Sequence, residues 1–135
     1  MKTVIFACVH SAGRSQMAAA FFDANVAPGA ARAVSAGTQP AERVHPEVVA
    51  AMAEIGIDLS AARPRKLDDA LAASASLLVT MGCGDACPFV PGLEVVDWSL
   101  PDPKGQPPAR VREIRDEIRT RTLALLAERG WRRGQ

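Results

Sequence analysis

The opening of this chain restricts its fold more than any other feature. The apolar run KTVIFA passes directly into the small-residue stretch CVHSAGRS, and a run of good helix formers, SQMAAAFFDANV, follows. Residues 3–7 form a short β-branched and aromatic run, continuous rather than alternating, the pattern of a parallel strand buried on both faces. On the following helix Met17, Ala20, Phe21 and Ala24 share one face, and the APG at 27–29 ends it. The order so far is strand, loop, helix.

The same alternation continues along the chain. ARAVSAGT reads as a second strand closed by Gly37. HPEVVAAMAEIGI reads as a helix with Val48, Val49, Met52 and Ile55 at helical spacing; His45 stands at its start, Pro46 in its first turn and Gly56 at its stop. KLDDALAAS is a short helix, SLLVTMG a third strand running into GCGDACP, and LEVVDW a fourth strand. SLPDPKGQPP is a proline-rich loop that needs contacts to order it. Residues 109–128 form the clearest helix, with Val111, Ile114, Ile118, Leu125 and Leu126 in one stripe and Glu117 and Arg121 as a favourable pair four apart. The closing WRRGQ reads as a frayed tail.

Regular alternation without internal repeats predicts an α/β fold, a single-domain three-layer sandwich with a four-stranded parallel sheet and helices on both faces. At 135 residues one domain spanning 1–135 is expected. In such folds ligands bind outside the carboxyl ends of the strands. Cys8, residues 82–87 and Asp102 all follow strands and are expected to meet at that edge.

Composition excludes several classes of function. With 48% hydrophobic and 23% charged residues the chain is neither disordered nor fibrous. A net charge of +1 creates no long-range field for nucleic acid or an anionic membrane, so any anion must be caught locally. No apolar stretch approaches the roughly 20 residues of a bilayer span. MKTVIFACVHSAGR is too short and lacks the cleavage-like end of a signal peptide, so a cytoplasmic, monomeric protein is the expectation. The three cysteines, Cys8, Cys83 and Cys87, are too few and odd in number for a secreted disulfide framework; in a reducing compartment such residues are catalytic or metal-binding.

The stretch from Cys8 to Ser15 has the chemistry of an oxyanion cradle. A strand-to-helix loop presents successive backbone N–H groups, here of Val9, His10, Ser11, Ala12, Gly13 and Arg14, and the helix N-terminus adds partial positive charge. Ala12 and Gly13 permit close backbone approach, and the planar fork of Arg14 can grip two oxygens at once. The same field favours a thiolate at Cys8 and makes it a nucleophile. Ser11 or Ser15 can donate a hydrogen bond to that sulfur, Ser15 being the better placed beside Arg14. The bland alternative, a buried cysteine and a surface arginine, accounts for neither the preceding strand nor the helix beyond.

This constellation resembles the low-molecular-weight protein tyrosine phosphatases, whose signature is a cysteine, five residues, an arginine and then serine or threonine near the amino terminus. The likeness covers essentially the whole chain, including SAGT after the second strand and the Asp102-Pro103 pair. Within that superfamily RSQMA, VTMGCGDACP, DWSLPDP and VREIRDEI look much more like the thioredoxin-coupled arsenate reductases. The resemblance implies that Cys8 attacks arsenate, that Asp102 protonates the departing oxygen, and that Cys83 then attacks Cys8 to release arsenite. Cys87 next attacks Cys83, and a Cys83–Cys87 disulfide is left for thioredoxin to reduce. Phosphate or sulfate would compete for the same cradle.

Geometry adds a condition to that relay. Residues four apart on a helix have Cβ atoms about 5–6 Å apart, whereas a disulfide needs about 3.5–4.5 Å. The segment must therefore be non-helical or unwind on oxidation, which Gly82, Gly84 and Pro88 favour. The Cys83–Cys87 spacing is shorter than is usual in the family, which leaves the order of these two thiols open. The usual loop asparagine is replaced around Ser11, and an acidic residue often found after the Arg-Ser pair is Ala19; a potassium site is therefore expected to be weak or missing.

The alternative within the superfamily is a tyrosine phosphatase. The chain contains no tyrosine, and DPKGQPP supplies no aromatic platform for a phenol ring, although Trp98 is near in sequence. A zinc or trivalent-arsenic sensor built from Cys8, Cys83, Cys87 and a histidine is disfavoured, because structural zinc sites pair short spacings on both halves and here one half is a lone cysteine. No metal or cofactor is called for. Asp85 reads as a solvated loop residue and His10 as pointing outward from the cradle.

Overall fold

The computed structural model describes residues 1–82 and 90–134. Its elements run β1 (Lys2–Cys8), α1 (Arg14–Asn25), β2 (Ala31–Gly37), α2 (Pro46–Ala53), α3 (Asp69–Ser74), β3 (Leu77–Thr80), β4 (Glu94–Asp97) and α4 (Pro108–Glu128). The four strands pair in the order β2-β1-β3-β4, every pairing parallel. The α/β sandwich read from the alternation is therefore the fold adopted.

Period-two alternation along β1 divides the core into two layers. Val4, Phe6 and Cys8 face the larger layer, with Met17, Phe21 and Phe22 of α1, Met52 of α2, and Ile114, Ile118, Leu125 and Leu126 of α4. Ile5 and Ala7 face the opposite side, against Leu71 and Ala72 of α3. Covering both faces explains why β1 is apolar from Val4 to Cys8. Each fully buried side chain of this size contributes roughly 1.5–3 kcal/mol. The stripe expected on α4 is buried in full, and Arg121 Nε donates to Glu117 Oε1 at 2.9 Å.

Three local expectations are corrected. The α1 face rotates: Phe22 and Ala18 join Met17 and Phe21 in the core and Ala24 is exposed, because α1 packs against α4 as well as the sheet. The second helix ends at Ala53, short of Ile55, which is 42% exposed. Gly56 takes a φ of +83° and the Ile57 N–H returns to the Met52 carbonyl at 3.0 Å, a glycine-closed helix end. The tail is not frayed through 134. Ala27 N–H donates to the Trp131 carbonyl at 2.6 Å, Arg133 N–H donates to the Asn25 carbonyl at 2.8 Å, and the Trp131 ring stands edge-on to Phe22.

The parallel register sets the site. Cys8 pairs with Gly37 across β1 and β2, and Ala7 with Thr80 across β1 and β3, so the chain leaves all three strands at one edge of the sheet. Among the described residues no helix is long and apolar enough to cross a membrane.

Candidate active site

Cys8 ends β1 and is 3% exposed. Beyond it the loop carbonyls are all engaged from outside. Val9 accepts from Gln39 N–H, His10 from Ala41, Ala12 from His45 and Gly13 from Met17, at 2.8–3.1 Å, while the Ser11 carbonyl accepts from Gln16 Nε2 at 2.9 Å. The backbone N–H groups of residues 9–14 find no acceptor among the described residues. Carbonyls tied outward and amides left free beside a sulfur make a ready anion site.

The turn needed for this is costly for most residues. Ser11 has a φ of +51°, the left-handed region, and is held there by bonds to both its carbonyl and its hydroxyl. The approach of β2 also requires Gly37. A Cβ there would lie 2.5 Å from the Val9 carbonyl oxygen and 2.7 Å from Ser11 N.

Ser15, the second residue of α1, places its Oγ 2.9 Å from Cys8 Sγ. Behind it Ser35 Oγ lies 2.7 Å from Ser15 Oγ, and Ser11 Oγ 2.8 Å from Ser35 Oγ. Arg65 N–H donates to Ser11 Oγ at 3.3 Å. With Cys8 as a thiolate, which can only accept, and one hydrogen on each hydroxyl, the chain has a single polarity: Ser15 to the sulfur, Ser35 to Ser15, Ser11 to Ser35, and Arg65 N–H to Ser11. Hydrogen bonds aligned in this way reinforce one another. Ser15 is thus the sulfur's direct neighbour, and Ser11 stands two steps behind it.

Arg14 is 9% exposed. Its Nη1 donates to the Leu100 carbonyl at 2.8 Å and its Nη2 lies 4.0 Å from Asp102 Oδ2. Asp102 is half-exposed and also accepts the Lys104 N–H at 3.0 Å, so it is at once a turn aspartate and, among the described residues, the carboxylate nearest Arg14. Pro103 is buried against Gly13. Gly82, where the chain enters residues 83–89, has a φ of +105°, and a Cβ there would meet Arg14 Nη1 at 2.5 Å. Cys83, Cys87 and Asp85 lie outside the described residues. Trp98 is a core residue, its ring 5.8 Å from that of Phe6, and takes no part at the mouth.

Two histidines border the loop. His10 Nδ1 donates to the Gln39 carbonyl at 3.1 Å, and its ring stands edge-on to that of His45 at 6.3 Å. His45 precedes α2 as its cap residue. Burial pushes it below the ordinary imidazole value, against the pull of the Glu47 and Asp102 carboxylates. Among the described residues no cluster of three or more His, Cys, Asp or Glu side chains is placed to hold a metal ion. Sequence reasoning did not single out Ser35, Gln16 or the role of Gly82; a serine in the second strand, two residues before Gly37, was the available signal for the first.

Fold and site together define a class, the parallel α/β proteins that hold a thiol beneath an oxyanion loop closed by arginine. The chain belongs to the low-molecular-weight phosphotyrosine protein phosphatase family, whose sequence model matches residues 3–130. A Halobacterium salinarum protein assigned as an arsenate reductase is 40% identical over 127 residues, covering 91% of this chain and 89% of its own. A Synechocystis glutaredoxin arsenate reductase is 33% identical over 131 residues, covering 95% and 98%. The solved structure of the thioredoxin-dependent arsenate reductase of Corynebacterium glutamicum superposes with a TM-score of 0.82 at 37% identity over 96% of this chain. The chain spans 62% of the length of that Corynebacterium protein.

Proposed function

We propose that this enzyme reduces arsenate to arsenite through Cys8, with Cys83 and Cys87 as the second and third sulfurs. Arsenate sits on the free amides of residues 9–14 and the Arg14 fork. The Cys8 thiolate forms a sulfur–arsenic bond while an oxygen leaves as water, protonated by Asp102. Cys83 then attacks the Cys8 sulfur. The sulfur–arsenic bond breaks, its electron pair stays on arsenic, and arsenite departs as a Cys8–Cys83 disulfide forms. Cys87 attacks Cys83 and frees Cys8, and the remaining disulfide accepts two electrons from an external dithiol.

The observation that carries this reading is Cys8 Sγ held 2.9 Å from Ser15 Oγ beneath amides that have no acceptor among the described residues. Similarity to proteins named as arsenate reductases supports the choice of oxyanion. A disulfide that ends within the protein suits thioredoxin as reductant, and the named dependence of the Corynebacterium protein agrees; glutaredoxin, named for the Synechocystis relative, is the competitor. Phosphatase activity is the second reading, favoured by the family match. Against it, the chain has no tyrosine and Trp98 is buried against Phe6.

Mass spectrometry after one arsenate turnover with limiting reductant tests the relay. A Cys83–Cys87 disulfide with Cys8 free is the expected linkage. Undiminished arsenate turnover in Cys83→Ser, with loss in Cys8→Ser, would refute the relay. Arsenate-dependent oxidation of thioredoxin, compared with aryl phosphate hydrolysis, separates reductase from phosphatase.

A further inference from the structure

We propose that Glu47, in the first turn of α2, is a positioning residue for this reaction: its carboxylate tethers the loop that carries Asp102, keeping the acid over the cradle while Arg14 engages the oxyanion. The inference rests on the function proposed above and adds to it a residue outside the oxyanion loop.

The loop from 98 to 107 joins β4 to α4. Beyond Trp98, two of its polar ties to the rest of the molecule come from Arg14: Nη1 to the Leu100 carbonyl at 2.8 Å, and Nη2 near Asp102 Oδ2 at 4.0 Å. Arg14 is also the fork that a bound oxyanion recruits, so any shift of the guanidinium toward the anion loosens both ties together. Among the described residues, and apart from the backbone bonds at its two ends, Trp98 and Pro107, the loop has one hydrogen bond to the rest of the molecule that does not involve Arg14. Gly105 N–H donates to Glu47 Oε2 at 3.2 Å, across 58 positions of sequence. Gly105 has a φ of +73°, a left-handed turn that glycine adopts at little cost. A carboxylate accepting an N–H makes one of the stronger hydrogen bonds available to a backbone.

The base of this tie is rigid. Arg112 Nε and Nη2 both donate to the Glu54 carboxylate, and Arg115 Nη1 donates to Glu54 Oε1 and to the Ala51 carbonyl, so α2 is fastened to α4. Just before α2, the His45 ring and Pro103 both lie against Gly13, His45 Cδ2 being 3.4 Å and Pro103 Cγ 3.1 Å from a Cβ placed there. The start of α2 thus touches the cradle and holds the acid loop at the same time.

The expected effect follows from the sensitivity of proton transfer to placement. A displacement of about 1 Å can cost up to roughly 100-fold, and general acid catalysis supplies roughly 10²- to 10⁴-fold. Steady-state arsenate reduction with a thioredoxin system tests it. Glu47→Ala is expected to lower kcat about tenfold, with KM for arsenate changed by less than about twofold. Glu47→Gln, whose amide oxygen can accept the same N–H, is expected to recover most of that loss. In an Asp102→Asn background Glu47→Ala should cost nothing further, because the acid it positions is already gone. Faster hydrogen exchange of the Gly105 amide in Glu47→Ala reads the tie directly, whatever the activity. An unchanged kcat in Glu47→Ala, a Glu47→Gln as slow as Glu47→Ala, or an undiminished penalty in the Asp102→Asn background would each overturn the inference. A wild-type protein inert toward arsenate would overturn the proposed function instead, and this inference with it.

Discussion

The hydroxyl of Ser15 stands 2.9 Å from the sulfur of Cys8, and the Oγ of Ser35 lies 2.7 Å behind it. A hydroxyl has one hydrogen to donate. If Ser35 donates to Ser15, the Ser15 hydrogen is left for the thiolate.

Removing the direct donor should therefore slow the nucleophile. A hydrogen bond to a charged group is worth about 1.5–3 kcal/mol, or roughly 10- to 100-fold in rate. Ser15→Ala is expected to lose kcat/KM for arsenate within that range, and Ser35→Ala to lose less, because Ser15 can still donate. Alkylation of Cys8 by iodoacetamide near pH 6 should slow in the same order. A Ser35→Ala protein slower than Ser15→Ala would contradict the polarity assigned to the chain.

Gly82 separates binding from chemistry. An added methyl would press on Arg14 Nη1 from 2.5 Å, and the φ of +105° strains any side chain there. Gly82→Ala should raise KM for arsenate, and the inhibition constant of phosphate, by about tenfold or more through a displaced fork. Isothermal titration with phosphate checks this without turnover; unchanged affinity would show that the guanidinium had been accommodated.

The α2–α4 clamp predicts an acid-sensitive component of stability. The Glu54 carboxyl is held below its ordinary 4.5, first by the hydrogen bond from Arg112 and also by Arg115. A lowered folded-state value means stability fully present above the unfolded value and lost as pH falls through the folded one. The melting-temperature gap between wild type and Glu54→Gln should hold steady above about pH 5.5 and close as pH drops below 4.5. A gap that is constant down to pH 3 would show that the pair contributes nothing through its charge.

Deleting residues 131–135 tests the docked tail. The deletion removes the Trp131 contact with Phe22 and the acceptor of the Ala27 N–H. Expected destabilisation is about 1–3 kcal/mol, seen as a melting point lower by some 3–10 °C, with arsenate KM unaffected. A tail without structural value would leave the melting point where it was.

Much of the architecture was legible from local pattern. The continuous apolar run of β1 announces burial on two faces, and the Cys8-to-Ser15 spacing announces an anion loop, because both signals lie within a few consecutive residues. The misjudged places depend on packing at a distance. Ala24 looks apolar on a helical wheel but faces solvent, since α4 and the sheet share α1 between them. Trp131 looks like a loose end, yet it is drawn onto Phe22 by bonds to a turn about a hundred residues earlier.

Chain order and loop chemistry were thus readable from one stretch at a time: strand, amide-rich turn, arginine, helix. Which side chains stand behind that turn was decided by folding. The parallel register of β1 with β2 carries Ser35 behind Ser15, β3 delivers Gly82 to the face of Arg14, and the packing of α2 on α4 sets Glu47 beneath Gly105. Each of these partners is distant along the chain, and only the closing of the sheet and the seating of its helices bring such groups within a hydrogen bond of one another.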